Sequence, residues 1–220
     1  MDIKEAVLNR HSVRSYLDKP LEQDVIEKLR AFIDRCNEES GLHIQFVLNE
    51  PKAFDSTMAH YGNFSGVTNY LALIGKKGPD LEEKCGYYGE QIVLEAQRLG
   101  LNTCWVALTY KKIPSAFVLN KGEKLAVVIA LGYGATQGKQ HKSKLISEVS
   151  NCTVDSPEWF RKGVECALLA PTAVNQQKFF FTLEGDKVST KVGRAFCVKM
   201  DLGIAKYHFE IGSGRTDIWK

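Results

Sequence analysis

Asn9-Arg10-His11-Ser12-Val13-Arg14-Ser15-Tyr16 is the stretch on which the reading of this chain turns. In an extended backbone successive side chains point to opposite faces, so Arg10, Ser12 and Arg14 share one face and His11 takes the other. Two guanidinium forks with a hydroxyl between them match a phosphate in both charge and shape, and neither Arg loses its proton at neutral pH. The segment also fits a plain helix end. Residues 2–9 read as a short helix, and cations near a helix C-terminus are favoured by its dipole without any ligand.

A second segment, Ala170-Pro171-Thr172-Ala173-Val174-Asn175-Gln176-Gln177, runs into the apolar Phe179-Phe180-Phe181. Pro171 ends a helix, and hydroxyl and amide side chains follow at the break. Thr172, Asn175 and Gln177 could hydrogen-bond the polar edge of a planar heterocycle. Read in isolation, the loop fits an ordinary polar connection equally well.

Taken together, the two segments resemble the nitroreductase family of FMN-dependent oxidoreductases. There an opening Arg-x-Ser-x-Arg/Lys holds the flavin phosphate and a Pro-Ser/Thr-x-x-Asn-x-Gln loop contacts the flavin ring. Gly86-Tyr87-Tyr88-Gly89-Glu90 through Leu99-Gly100-Leu101-Asn102-Thr103-Cys104-Trp105 resembles the family's central helix and the strand after it. Leu131-Gly132-Tyr133-Gly134 with Lys142 and Lys144 resembles its late strand and second phosphate-binding pair. The resemblance spans nearly the whole chain and implies an α+β fold, a central mixed sheet flanked by helices.

Composition agrees with that class without demanding it. The 220 residues, 44% hydrophobic, suffice for a full core, and the net charge of +3 is mild. Lysines and acids are interspersed, which argues against a nucleic-acid binder. The six cysteines form no Cys-x-x-Cys pair and no zinc-like cluster. The chain begins Met-Asp-Ile-Lys-Glu without an apolar signal region, and no stretch approaches the ~18 apolar residues of a membrane span. A cytoplasmic protein with no membrane partner is the expectation.

Periodicity predicts helices over 22–36, 80–100, 159–169 and 200–211, and strands over 42–48, 67–74, 103–108, 124–132 and 179–183. The run Leu125-Ala126-Val127-Val128-Ile129-Ala130-Leu131 suits a strand covered on both faces, and it and 103–108 are expected at the sheet centre. Residues 134–144, rich in Gly, Lys and Gln, read as an exposed connection. Asp155-Ser156-Pro157-Glu158 starts a helix and a second unit. Asp201-Leu202-Gly203-Ile204-Ala205 resembles the family's Asp-x-Gly-x-Ala helix and echoes the 86–90 region. The expectation is one domain over 1–220, with degenerate repeat units 1–149 and 150–220; a coincidence of α/β patterning explains the echo as well.

The chain departs from the family at one place. In homodimeric relatives the ring-facing loop follows the first long helix, where this chain has Asn37-Glu38-Glu39-Ser40-Gly41 without the motif. The second unit has the loop but no Arg-x-Ser-x-Arg. A monomeric pseudo-dimer with a single FMN would reconcile these complementary losses. The resemblance then implies that Arg10, His11, Ser12, Arg14, Lys142 and Lys144 surround the phosphate. Pro171, Thr172, Asn175 and Gln177 would address the ring or ribityl chain, Asn63 the pyrimidine edge, and the backbone at Ala107 and Leu108 flavin N5. It implies electron transfer from NADH or NADPH through FMN to a small-molecule acceptor in a ping-pong cycle, with no side-chain nucleophile. A flavin carrier or redox sensor without turnover, and a specialised member such as a reductive dehalogenase, are the alternatives.

Overall fold

The computed structural model describes all residues from Met1 to Lys220. In chain order the elements are α1 (Ile3–Asn9), α2 (Gln23–Ser40), β1 (Gln45–Val47), α3 (Thr57–Tyr61), β2 (Asn69–Lys76), α4 (Leu81–Arg98), β3 (Asn102–Val106), β4 (Glu123–Gly132), α5 (Ile146–Val149), α6 (Glu158–Ala167), β5 (Phe179–Glu184), β6 (Lys187–Val192) and α7 (Val198–Ser213). The chain divides into two compact units, neither of them continuous in sequence. No helix is long and apolar enough to cross a membrane.

The unit formed by Asn9–Leu81 and Ile92–Gln140 is built on a four-stranded sheet in the order β1-β2-β4-β3. Every ladder between these strands is antiparallel. A parallel bridge, Ser12↔Thr103, adds the arginine-bearing segment beside β3 and makes the sheet mixed at that side. β3 does not take the central place expected for it: its second neighbour is an irregular segment rather than a strand. β2 and β4 hold the middle, and seven of the eight residues of β2 are buried. One sheet face carries Tyr70, Ala72, Ile74, Val128 and Ala130 into a core with Phe54, Phe64 and Val106. α2 buries Val25, Leu29, Ile33 and Cys36 at helical spacing and closes on Gly41, whose φ of 69° only a residue lacking Cβ adopts without strain. α3, absent from the periodicity reading because it is five residues long, is capped by Ser56 Oγ accepting from Ala59 N at 3.3 Å.

The other unit comprises Met1–Leu8, Glu82–Gln91 and His141–Lys220. Its β5–β6 hairpin pairs Phe179↔Val192 through Glu184↔Lys187 around Gly185. Phe181 lies against Phe209 and Trp219, at centroid separations of 4.9 and 6.0 Å. α6 and α7 pack closely because Gly163 faces the Phe209 ring and Gly212 faces the Lys162 carbonyl. The first half of α4 meets α7 at a still closer crossing. A Cβ on Gly86 would lie 2.1 Å from Met200 O, and one on Gly203 would lie 2.0 Å from Glu83 O. The two sequence echoes, 86–90 and 201–205, are thus the two sides of one helix crossing.

That crossing is laced with polar contacts. Lys206 Nζ reaches Glu83 Oε1 at 2.5 Å, and Tyr87 Oη donates to Glu210 Oε2 at 2.5 Å. Trp219 Nε1 donates to the other Glu210 oxygen. His208 Nε2 lies 2.9 Å from Glu90 Oε1, both side chains fully buried. His208 is thereby a structural residue of the interior.

Candidate active site

In the sheet-bearing unit, the backbone of residues 12–16 is held extended by pairing on both sides. Val13 N donates to Thr103 O at 3.0 Å, Ser65 N to Arg14 O and Tyr16 N to Ser65 O. Tyr16 anchors the end: its ring is buried, and its hydroxyl donates to Val13 O at 2.8 Å. Gly66 must be glycine here, since at φ 69° a Cβ would also stand 2.3 Å from Tyr16 O. Pairing at Ser12, Ser15 and Tyr16 shows the residues beyond α1 to be extended, while the helix ends at Asn9 as its sequence suggested, which leaves Arg10 just past its C-terminus.

The segment carrying Arg10, Ser12 and Arg14 runs beside β3 through the Ser12↔Thr103 bridge, and all three residues act on Cys104. Burial pushes the Cys104 thiol above its usual range, and three groups oppose that shift: the Arg14 charge, a hydrogen bond with Ser12 and the Arg10 charge. One thiol thus registers all three residues of the motif. The face is graded in depth, with Arg10 only 3% exposed and Arg14 at the surface. His11, on the opposite side, packs where Gly138 at φ 71° leaves room for its Cβ.

The same unit gathers the other sequence-predicted residues around this segment. Asn63, exposed and left-handed at φ 59°, follows α3 and directly precedes the Phe64-Ser65 pair that lies beside Arg14 and Ser15. The Ser15 and Ser65 hydroxyls are 3.0 Å apart. Ala107 and the exposed Leu108 leave the end of β3, and a Cβ on Gly62 would lie 2.6 Å from Thr109, so this strand exit adjoins the Asn63 loop.

The second unit assembles its own cluster. Residues 141–144 are fastened rather than loose: His141 Nε2 and Ser143 Oγ both contact Leu168 O, at 2.9 and 3.0 Å. Gln177, 2% exposed, holds this segment and the loop together. Its Nε2 donates to Lys142 O at 2.9 Å and to Asn175 Oδ1 at 2.8 Å, while its Oε1 accepts from Lys144 N at 2.9 Å. Lys144 Nζ donates to the Gln177 carbonyl, and Asn175 Nδ2 to Lys142 O. Pro171 is buried, and Thr172 Oγ1 accepts from Gln177 N at 3.1 Å. The lysine pair and the amide loop, matched separately in sequence, form one hydrogen-bonded body.

The backbone of that body is strained. Val174, Asn175 and Gln177 have φ of 45°, 54° and 44°, and for a β-branched residue such as Val174 this is a genuine outlier. Val174 is 84% exposed, so burial does not compensate for the conformation. Sequence reading gave no role to the residue that holds this bend: Asp201, in the first turn of α7, accepts from Ala173 N at 3.0 Å and from Gln176 Nε2 at 2.6 Å. A carboxylate set between the apolar Met200 and Leu202 was the available signal.

Burial raises the Asp201 carboxyl to about 6 against the pull of those two hydrogen bonds. Its folded value exceeds the unfolded one, so the folded protein holds this proton more firmly between about pH 4 and 6. Stability attributable to this group therefore falls as pH rises through that window, by no more than about 3 kcal/mol. Asp201→Asn removes the titration. Its thermal midpoint, followed from pH 4 to 7.5, is expected to lack the component of decline that the wild type shows; parallel profiles would refute the assignment.

Comparison with known proteins gives the family and the fold. A family model described as "Putative TM nitroreductase" matches residues 2–213. The chain belongs to this nitroreductase family. A nitroreductase structure from Thermotoga maritima is 25% identical, covering 96% of this chain and 83% of that one, with a TM-score of 0.68. An NADH dehydrogenase/NAD(P)H nitroreductase from Bacteroides thetaiotaomicron shares the fold at 21% identity and TM-score 0.52, over 67% of this chain and 95% of its own. An NADH oxidase from Clostridium acetobutylicum does so at 22% and 0.50, over 71% and 100%. No curated protein matches. The nitroreductase-like α+β fold expected from the motifs is thus present, and the protein is a nitroreductase-family oxidoreductase.

Proposed function

We propose that the chain is an FMN-dependent enzyme that oxidises NADH or NADPH and passes the electrons to a small acceptor in a ping-pong cycle. The carrying observation is the arginine-bearing segment held extended beside β3 by the Ser12↔Thr103 bridge and the Val13–Thr103 and Arg14–Ser65 hydrogen bonds, which puts Ser12 and Arg14 on one face with Arg10 at its head. That donor set fits a phosphate monoester. When bound, FMN supplies the hydride chemistry, and the chain holds and orients it. Arg10, Ser12 and Arg14 bind phosphate, with Lys142 and Lys144 as the second basic pair and His11 packing behind. Thr172 and Asn175 present hydrogen-bonding groups to the ring or ribityl chain, with Pro171 and Gln177 fixing their loop. Asn63 would meet the pyrimidine edge of the ring, and the backbone at Ala107 or Leu108 would approach its N5. The names of the Bacteroides and Clostridium fold relatives, which print NAD(P)H and NADH, support the choice of donor. One FMN per chain, retained on dilution, follows from the complementary loss of motifs between the two halves of the sequence.

The purified protein is expected to be yellow, to release FMN on denaturation and to bleach when mixed with NADH or NADPH in a stopped-flow cell. Colourless protein that takes up no added FMN overturns the reading, and a flavin that neither nicotinamide reduces restricts it to flavin binding. Arg14→Ala is expected to weaken FMN binding by about 2 kcal/mol, roughly thirty-fold, the loss of a charge-assisted hydrogen bond. His11→Ala is expected to change it far less. Equal losses, measured by fluorescence titration of the apoprotein, would contradict the assignment of one face to the phosphate.

A further inference from the structure

We propose that the outer face of the β5–β6 hairpin binds the 2′-phosphorylated adenosine end of NADPH, and so makes the protein selective for NADPH over NADH. The proposal rests on the nicotinamide-dependent reading above and deepens it.

An open cleft of about 400 Å³ lies along this hairpin, wholly within one unit. Its wall carries Lys144, Lys178, Lys191 and Arg194 against a single acid, Glu148. Glu148 is already engaged, its Oε2 accepting from Leu145 N at 2.8 Å. None of the four cations is in an ion pair. Lys144 and Lys178 donate to the carbonyls of Gln177 and Arg194 at 3.0 and 3.3 Å, which positions their charges without neutralising them. Lys144 is assigned above to the flavin phosphate, which leaves Lys178, Lys191 and Arg194 as like charges on one small cleft; they repel one another, and a polyanion relieves the repulsion.

The cleft also has an aromatic floor. Strand alternation turns Phe179 and Phe181 into the core and leaves Phe180 half-exposed on the outer face, opposite Lys191 in the ladder. Phe180 flanked by Lys178 and Lys191 offers a stacking surface for a base between groups that hold phosphate. The absence of an uncommitted carboxylate selects between the two nicotinamides. An acid that accepts from the ribose 2′-hydroxyl favours NADH, whereas Arg beside that position favours a 2′-phosphate. Gln177 lines the same cleft and ends the loop assigned above to the flavin, so the cleft continues from that loop within one unit.

The test uses the FMN-loaded protein and isothermal titration with 2′,5′-ADP and 5′-AMP as probes. The wild type is expected to bind 2′,5′-ADP at least about tenfold more tightly than 5′-AMP, in a salt-dependent manner, and NADPH is expected to displace it. Lys178→Ala/Arg194→Ala is expected to bring the two probes within roughly twofold of each other, to leave FMN content unchanged and to lower kcat/KM for NADPH more than for NADH. Lys191→Ala serves as an independent single variant with the same expected direction. Equal affinity of the wild type for both probes overturns the proposal, as does an unaltered preference in a folded double variant. Tighter binding of a single-stranded oligonucleotide than of 2′,5′-ADP would reassign the face to nucleic acid and overturn it too. Protein that takes up no FMN but binds 2′,5′-ADP with the stated preference would sustain the cleft and refute the flavoenzyme reading.

Discussion

Gly203→Ala is expected to lower stability by more than about 3 kcal/mol, at the upper end of what overpacking costs. The added methyl would stand 2.0 Å from Glu83 O and 2.7 Å from Tyr87 N. Both are backbone atoms of α4, so no rotamer change relieves the contact and the helices must separate. Separation would also stretch the Lys206–Glu83 and Tyr87–Glu210 contacts that lace the crossing. Gly86→Ala makes the reciprocal collision with Met200 O, at 2.1 Å. Since the helices need move apart only once, the double variant is expected to lose less than the sum of the single losses, as a denaturant double-mutant cycle would show. Full additivity would mean that the two glycines do not share one crossing.

Gln177→Leu is expected to cost about 3 kcal/mol, because three side-chain hydrogen bonds disappear together and the part-buried Lys144 N–H loses its acceptor. The variant is also expected to weaken FMN binding, as Lys142, Lys144 and Asn175 all lean on this amide. Gln177→Glu discriminates between loss of volume and loss of donors. Its carboxylate still accepts from Lys144 N but would turn an oxygen toward Lys142 O and Asn175 Oδ1, both acceptors. Stability at pH 7.5 is therefore expected to drop and to recover partly on acidification, as the protonated acid regains a donor. A pH-independent deficit would show that the amide only fills space.

How far the sequence carried can be judged from particular residues. The shared face of Ser12 and Arg14 was legible, because alternation is a local property and the structure holds residues 12–16 extended. The helices over 22–36 and 80–100 were legible for the same reason, since a buried stripe repeats along a single element. β6 was not: Lys187-Val188-Ser189-Thr190-Lys191-Val192 has few apolar residues, and its pairing with the phenylalanine strand is a nonlocal fact. The edge position of β3 escaped for a related reason. Its local composition does not say which strands flank it, and here one flank is a single bridged segment. Gln177 and Asp201 were misjudged in weight. Polar residues ordinarily face water, and only the folded chain shows that these two sit inside, tying the loop to 141–144 and to α7.

The bend at Val174 bears on the order in which the molecule assembles. A valine in the left-handed region is almost unpopulated in an unfolded chain, so nothing local favours this turn. Its supports come from Asp201 and from the 142–144 segment, distant in sequence on either side. Folding of this loop is thus expected to follow the docking of α7 rather than lead it. The backbone amides of residues 173–177 should accordingly exchange with solvent by local opening, well before the interior of the α6–α7 pair becomes accessible.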